Sequence, residues 1–388
     1  MKPKSRLRGF VFSQDVYTAN ARLLVRPPRR HATASSSSSS SHSSTASSSS
    51  PRRWLRLTLI TITTAGAGAY FVWKRDSSST TLNPVRFTPY YLVSREAVSS
   101  TGSLFTLKPP KSDGTNLEVY KSAWKTGVWS VMFKQPQLQI GRDYTPLPPT
   151  SPDGDDECLR FFIRKDPFGE VSRYLHSLDV GAPIEVRGPK VECEIPSETG
   201  SILFIAGGTG IAPALQVGHT LLRHTDHSDK PRIHILWATR QRDDCQGGQS
   251  EITGKAAETK TSWLSRFFQF SKPAPGPAST EAHSNTASSL IVRELEALKS
   301  QYPGQVTVEY FVDEENSFIG NKSILDFTKT AASPPSSHKR NLILVSGPEG
   351  FISYMAGPKL WAQGMELQGP LQGVIKELGL QDWAVWKL

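Results

Sequence analysis

The stretch Ile205-Ala-Gly-Gly-Thr-Gly-Ile-Ala-Pro213 puts three glycines and a proline directly behind the apolar run Ser201-Ile-Leu-Phe204. A Walker loop needs a lysine to carry charge to the phosphates. Here Ala214 and Leu215 follow Pro213, so an ATPase loop is excluded. The standard dinucleotide fingerprint needs a third glycine, and Gly208, Gly210, Pro213 breaks it at that position. What remains is a strand-to-helix turn in which glycines let the backbone approach a ligand, with Pro213 fitting a first helical turn. Such a turn favours an anion. An ordinary glycine-rich turn is the alternative.

Working outward, the rhythm on either side of this stretch differs. Downstream come strand Ile202–Ala206, helix Ala214–His224, strand Arg232–Thr239, helix Ser288–Gln301, strand Val306–Val312 and strand Leu342–Pro348, then a final helical stretch. This alternation predicts a parallel sheet flanked by helices, with ligands beyond the carboxyl ends of the strands. Upstream, β-rich runs follow closely: Tyr90–Glu96, Ser103–Pro110, Val128–Pro149 and Cys158–Asp166. They predict a small antiparallel barrel. Asp166–Leu178 reads as a turn opening a helix with Ser172 as its cap, and Ala182–Pro189 as a strand ending at Gly188. The barrel closes near Pro196. The expected organisation is an antiparallel β-barrel over 85–196 and an α/β parallel-sheet domain over 197–388. The polar, Pro/Gly-rich interval of about 245–287 reads as a disordered insertion, its Trp263–Phe270 patch packing locally.

The chain has 388 residues, 37% hydrophobic and 9% aromatic, enough for about two domains. Its net charge of +10 is not a nucleic-acid footprint. Eleven of the 45 basic residues stand before Leu57 against the single acid Asp15, leaving 34 of each sign in the rest. Residues 1–53 are Arg-rich, Ser-rich and acid-poor, the composition of a mitochondrial transit peptide joined to a disordered arm. Leu57–Trp73 carries no charge over seventeen residues. At about 1.5 Å each this makes about 25 Å of helix against a bilayer core of about 30 Å. With Arg56 snorkelling and Trp54 and Trp73 as interfacial anchors, 54–73 is expected to be a single transmembrane helix, followed by a linker over 74–84. A buried or interfacial helix is the alternative, since Thr58, Thr61, Thr63, Thr64, Gly66 and Gly68 weaken its apolarity. Cys158, Cys193 and Cys245 show neither a disulfide framework nor a zinc pattern.

Four signatures occur in one order. Arg142, Tyr144 and Thr145 lie in RDYTPLPP, Gly169, Val171 and Ser172 in GEVS, Gly207, Gly208, Thr209, Gly210 and Pro213 in GGTGIAP, and Ser346, Gly347 and Pro348 in SGPEGF. Together, over about residues 85–388, they resemble the ferredoxin-reductase-like flavoenzymes, cytochrome b5 reductases especially. The resemblance implies FAD and NAD(P)H as cofactors. Arg142 can grip a pyrophosphate bidentately, and the first-turn amides at Val171 and Ser172 suit the same anion. Tyr144 offers an aromatic face to the flavin, and Thr145 a hydroxyl to the ring nitrogen that receives hydride. Gly207–Gly210 would face the second pyrophosphate, with Gly347 and Pro348 under the nicotinamide, where reacting atoms need about 3 to 3.5 Å separation. Ser346 replaces the family's usual cysteine and loses a polarisable sulfur, which bears on turnover. Arg240 and Arg242, after the second strand of the α/β half, are candidates for the 2′-phosphate of NADPH, with Asp243 and Asp244 beside them favouring NADH instead.

The serine-rich arm, single span and Asp382–Leu388 terminus also resemble the fungal mitochondrial cytochrome c import and haem-attachment factors. This implies an inner-membrane-anchored protein, its body in the intermembrane space, passing electrons from NAD(P)H through FAD to a haem or cytochrome-type acceptor. Two alternatives are a cytochrome b5 reductase of the outer membrane and an assembly factor holding FAD structurally. Trp386 reads as a packing residue first and a flavin lid second, and Trp383 is no better placed for the second role.

Overall fold

A computed structural model describes residues 80–150, 157–224, 231–250, 288–331 and 339–388. The expected transit peptide, serine arm, transmembrane helix and Trp263–Phe270 lie outside the described residues. Among those described, no helix is long and apolar enough to cross a membrane. All described elements belong to one compact unit, Phe71–Leu388.

Seven strands, β1 (Thr88–Ala97), β2 (Gly102–Lys108), β3 (Gly127–Gln135), β4 (Ile140–Tyr144), β5 (Pro146–Leu147), β6 (Leu159–Arg164) and β7 (Pro183–Glu194), form one antiparallel sheet. Its order is β4-β3-β7-β1-β2-β6-β5. The sheet curls on itself: Phe133 on β3 meets Phe161 on β6 edge-to-face at 4.8 Å, although three strands separate them in the ladder. Alternation of buried and exposed residues along β1 and β2 turns Tyr90, Leu92, Phe105 and Leu107 inward, where they join Trp129, Val131 and Ile163 in one core.

One expectation needs correcting here, and one helix went unread. Strand β7 does not stop at Gly188 but runs to Glu194, because the irregular register opposite Ser130–Met132 accommodates Pro189, which has no N–H to donate. A helix, α1 (Thr115–Thr126), also stands before β3, with Asn116, Tyr120, Ala123 and Trp124 buried at helical spacing. Asn116 accepts from the Leu82 amide at 2.8 Å and from the Tyr90 hydroxyl at 3.1 Å.

After the short helix α2 (Glu170–His176) and β7, the parallel sheet begins with β8 (Thr199–Gly207). It continues through α3 (Ile211–His224), β9 (Arg232–Thr239), α4 (Leu290–Gln301), β10 (Val306–Val312), α5 (Asn321–Thr330), β11 (Arg340–Ser346) and α6 (Glu349–Ala356). With β14 (Trp383–Lys387) at one edge, the order is β10-β9-β8-β11-β14, all parallel. The continuous apolar runs of β8, β9 and β11 follow from burial on both faces. Between α6 and the end stand a two-stranded hairpin, β12 (Leu360–Ala362) with β13 (Met365–Leu367), the short α7 (Gly373–Glu377) and β14 (Trp383–Lys387). The expected final helical stretch is therefore only part of the ending: the last residues form a fifth parallel strand on β11. Leu104, Val128, Leu147 and Phe162 of the antiparallel sheet share one hydrophobic cluster with Phe204, Ile211 and Leu215 of the α/β half.

Candidate active site

The chain runs from β8 to β9 and β10 on one side, then returns to place β11 on the other side of β8. This reversal leaves a crevice beyond the carboxyl ends of β8 and β11, where open α/β sheets bind ligands. Gly207 ends β8 and Ser346 ends β11. Gly208, at φ +55°, turns the chain sharply, and its carbonyl accepts from the Trp237 indole at 2.9 Å. Gly210 lies so close to the other lip that a Cβ would stand 2.6 Å from the Ser346 carbonyl carbon. Only glycine permits this approach.

A cavity of about 230 Å³ opens at this point. Tyr144 and Thr145 line one wall, and Thr209, Gly210, Pro213, Ser346 and Gly347 the other. Seven residues singled out in the sequence thus come together from segments some two hundred positions apart. Gly207 and Pro348 stand behind this wall, Pro348 as the residue capping α6, whose carbonyl accepts from the amides of Phe351 and Ile352.

The remaining candidates sit elsewhere. Arg142 is two residues before Tyr144 on β4, exposed, and donates to the Gly141 carbonyl at 3.0 Å. Tyr144 packs edge-to-face on Phe133 at 5.1 Å. Burial raises its phenol pKa well above the usual value, opposed by the Arg142 charge and reinforced by Asp166, so the ring stays neutral. Asp166 begins the turn into α2. Gly169 occupies the cap position and Ser172 lies in the first turn, not at the cap as expected. Its buried hydroxyl instead ties the turn together, accepting from the Asp166 amide at 3.1 Å and donating to the Gly169 carbonyl at 3.2 Å. Val171 is buried against the antiparallel core. The first-turn amides of a helix lack intrahelical partners, and Phe168 beside them is 90% exposed. Arg142, these amides and the open ring of Phe168 together suit an anionic, ring-bearing ligand.

Arg240 is exposed at the end of β9. Arg242 is not free for a phosphate: its guanidinium holds the Glu315 carboxylate through Nε at 2.6 Å and through Nη2, and Nη1 contacts Cys245 Sγ at 3.6 Å. The Glu315 hydrogen bond raises the Arg242 pKa, and the Glu315 carboxyl is correspondingly lowered. Asp243 and Asp244 face the antiparallel sheet, accepting from the Ser100 amide at 2.8 Å and the Ser99 hydroxyl at 2.6 Å. They are committed to that junction.

Sequence reasoning missed the polar wall of the cavity. Lys190 pairs with Asp143 at 2.9 Å and Glu192 at 3.1 Å, and Ser130 donates to Glu192 at 2.6 Å. Burial pulls the Lys190 pKa down, but the two carboxylates outweigh it and the net shift is upward. It also missed Leu388, which reaches the cavity because its amide bonds the Val345 carbonyl at 2.8 Å. No local signal marks these residues: they meet through the pairing of β3 with β7 and of β14 with β11.

Residues 89–195 match the oxidoreductase FAD-binding domain and residues 204–273 the oxidoreductase NAD-binding domain. The chain therefore carries an oxidoreductase FAD-binding domain followed by an oxidoreductase NAD-binding domain. An uncharacterized FAD-binding protein of Schizosaccharomyces pombe is 34% identical over 166 residues, 41% of this chain and 56% of that protein, so this match spans little more than half of that relative. The cytochrome c mitochondrial import factor CYC2 of Saccharomyces cerevisiae is 25% identical over 390 residues, covering 86% of this chain and 91% of its own. NADH-cytochrome b5 reductase 2-A of Vanderwaltozyma polyspora is 24% identical over 295 residues, 75% of this chain and 80% of its own. The two domains assign FAD and NAD(P)H as the chain's cofactors.

Proposed function

We propose that this flavoenzyme carries electrons from NAD(P)H through FAD to a haem or cytochrome-type acceptor, as a mitochondrial protein anchored in the inner membrane with its body in the intermembrane space. The observation that carries the reading is the cavity in which Thr145 and Tyr144 stand across from Gly210, Ser346 and Gly347 at the switch point. In this reading 85–196 is the FAD-binding domain and 197–388 the NAD(P)-binding domain. Bound FAD supplies the conversion between two-electron hydride uptake and one-electron release.

The protein's own groups do the rest. Arg142 and the amides of Val171 and Ser172 hold the FAD pyrophosphate. Tyr144, kept neutral, gives a flat apolar face, and Thr145 offers its hydroxyl at the reacting edge. Gly207, Gly208, Thr209, Gly210 and Pro213 hold the nucleotide pyrophosphate, while Ser346, Gly347 and Pro348 shape the nicotinamide seat. Arg240 remains the candidate for a 2′-phosphate. The likeness to CYC2 over most of both chains supports the mitochondrial setting and the haem-linked acceptor.

The test is direct. The purified protein is expected to be yellow, to bleach on anaerobic addition of NAD(P)H and then to reduce a haem acceptor. A colourless protein that rejects FAD overturns the reading. Ser346 in place of the family's usual cysteine favours one second reading, an assembly factor whose FAD is structural. A yellow protein that never bleaches would establish it instead.

A further inference from the structure

Gln216 lies in the second turn of α3, one turn beyond Ala212 and Pro213 of the cavity wall, and is completely buried. Its amide reaches across to the antiparallel sheet. Oε1 accepts from the Trp129 amide at 2.9 Å, and Nε2 donates to the Trp129 carbonyl at 3.1 Å and to the Pro146 carbonyl at 2.8 Å. Two carbonyl partners fix which end of the side-chain amide is nitrogen.

The place of these bonds in the ladder gives them meaning. Strands β3 and β4 pair with Val131 opposite Tyr144, a register that would bring Ser130 opposite Thr145 and Trp129 opposite Pro146. The ladder stops at Val131–Tyr144, and on its other side β3 is irregular around Trp129. Gln216 stands where the next rung would be, bonding both backbone groups of Trp129 and the carbonyl of Pro146. The strands are thereby held apart at Ser130 and Thr145, and both residues line the cavity. Thr220, one turn further along α3, adds a bond to the Trp124 carbonyl at 3.0 Å.

We propose that Gln216 is a positioning residue that wedges β3 from β5 and sets the distance between Thr145 and the Gly208–Pro213 loop. This rests on the reading of the cavity as the hydride-transfer site. A buried amide left unpaired is costly, so the three bonds resist drift of either wall. Hydride transfer is sensitive to that drift: a misplacement of about 1 Å costs on the order of a hundredfold in rate. Gln216 touches no reacting atom in this scheme and acts through Trp129 and Pro146.

The experiment compares full-length wild type with Gln216→Met, which keeps volume without bonds, and Gln216→Glu, which keeps the acceptor but donates only when protonated. All three are expected to bind FAD. Anaerobic bleaching by NAD(P)H is expected to slow by on the order of a hundredfold in both variants. The long-wavelength charge-transfer absorbance formed when NAD⁺ is added to chemically reduced protein should weaken in parallel. In Gln216→Glu both should recover in part as pH falls, because the protonated carboxyl regains one donor, while Gln216→Met stays flat. Variants with wild-type rates and wild-type charge-transfer absorbance would overturn the proposal, as would loss of FAD from both. A wild-type protein that does not bleach removes the hydride-transfer reading itself, a result separate from any difference among the variants.

Discussion

Gly210 and Ser346 close the switch point between β8 and β11 at backbone contact: a Cβ on Gly210 would meet the Ser346 carbonyl carbon at 2.6 Å and the Gly347 nitrogen at 2.9 Å. Backbone cannot swing aside as a side-chain tip can. Gly210→Ala is therefore expected to lower stability by about 1–3 kcal/mol, the cost of overpacking a close contact. It should also slow bleaching by NAD(P)H, since the loop must lift from Ser346. Urea denaturation and anaerobic stopped-flow absorbance check the two effects.

Arg142 is exposed and donates to the carbonyl of its own neighbour, Gly141. Arg142→Ala should leave folding stability within about 0.5 kcal/mol of wild type. The loss of bonds to a charged phosphate, about 1.5–3 kcal/mol, should weaken FAD binding by about ten- to a hundredfold. Arg142→Lys should recover only part, because a point charge does not reproduce a bidentate fork. Titration of apoprotein by flavin fluorescence measures it.

Nucleotide preference should depend on Arg240 more than on Arg242, whose guanidinium is taken by Glu315. Arg242→Ala is expected to leave the NADPH-to-NADH ratio of kcat/KM nearly unchanged, whereas Arg240→Ala should lower it. Glu315→Gln removes the charge that holds Arg242 and should raise the ratio. An Arg242→Ala protein that loses use of NADPH alone would refute this assignment.

His176 ends α2, the helix that starts at the GEVS turn. Burial lowers its pKa below 6.5, and the Arg95 and Lys165 charges add to this, while the bond between Nδ1 and the Ser172 carbonyl opposes it. The unfolded chain takes up the proton more readily than the native one. Stability from neutral His176 is therefore full above pH 6.5 and is lost as pH falls below that value toward the lower folded pKa. Urea midpoints should decline on acidification in this range, and His176→Leu should flatten that part of the slope.

The readable parts of the molecule were those with local causes. The glycines of 207–210 sit between a continuous apolar strand and a helix, so spacing placed that turn, while Tyr144 and Thr145 were marked by their resemblance to a flavin motif beside a Pro turn. The parallel sheet was legible because burial on both faces writes unbroken apolar runs into β8, β9 and β11. Where reading failed, the cause lay in partners that a residue's own type does not name. Ser172 has the chemistry of a cap, yet the turn from Asp166 puts it in the first helical turn. Asp382–Leu388 is too short to declare its state, and it becomes β14 only because β11 offers a free edge.

The sequence by itself determined the order of the two sheets, through the periodicity of strands and helices, and it carried the four motifs whose resemblance implied FAD and NAD(P)H. Only the tertiary structure decided what each group is available to do. Arg242 is occupied by Glu315, Asp243 and Asp244 by Ser100 and Ser99, and the sheets are joined by Gln216 through Trp129 and Pro146. Each pairing spans roughly seventy to a hundred and fifty positions. A buried polar group takes whichever partner folding brings within about 3 Å, and that partner has no signature in the flanking sequence.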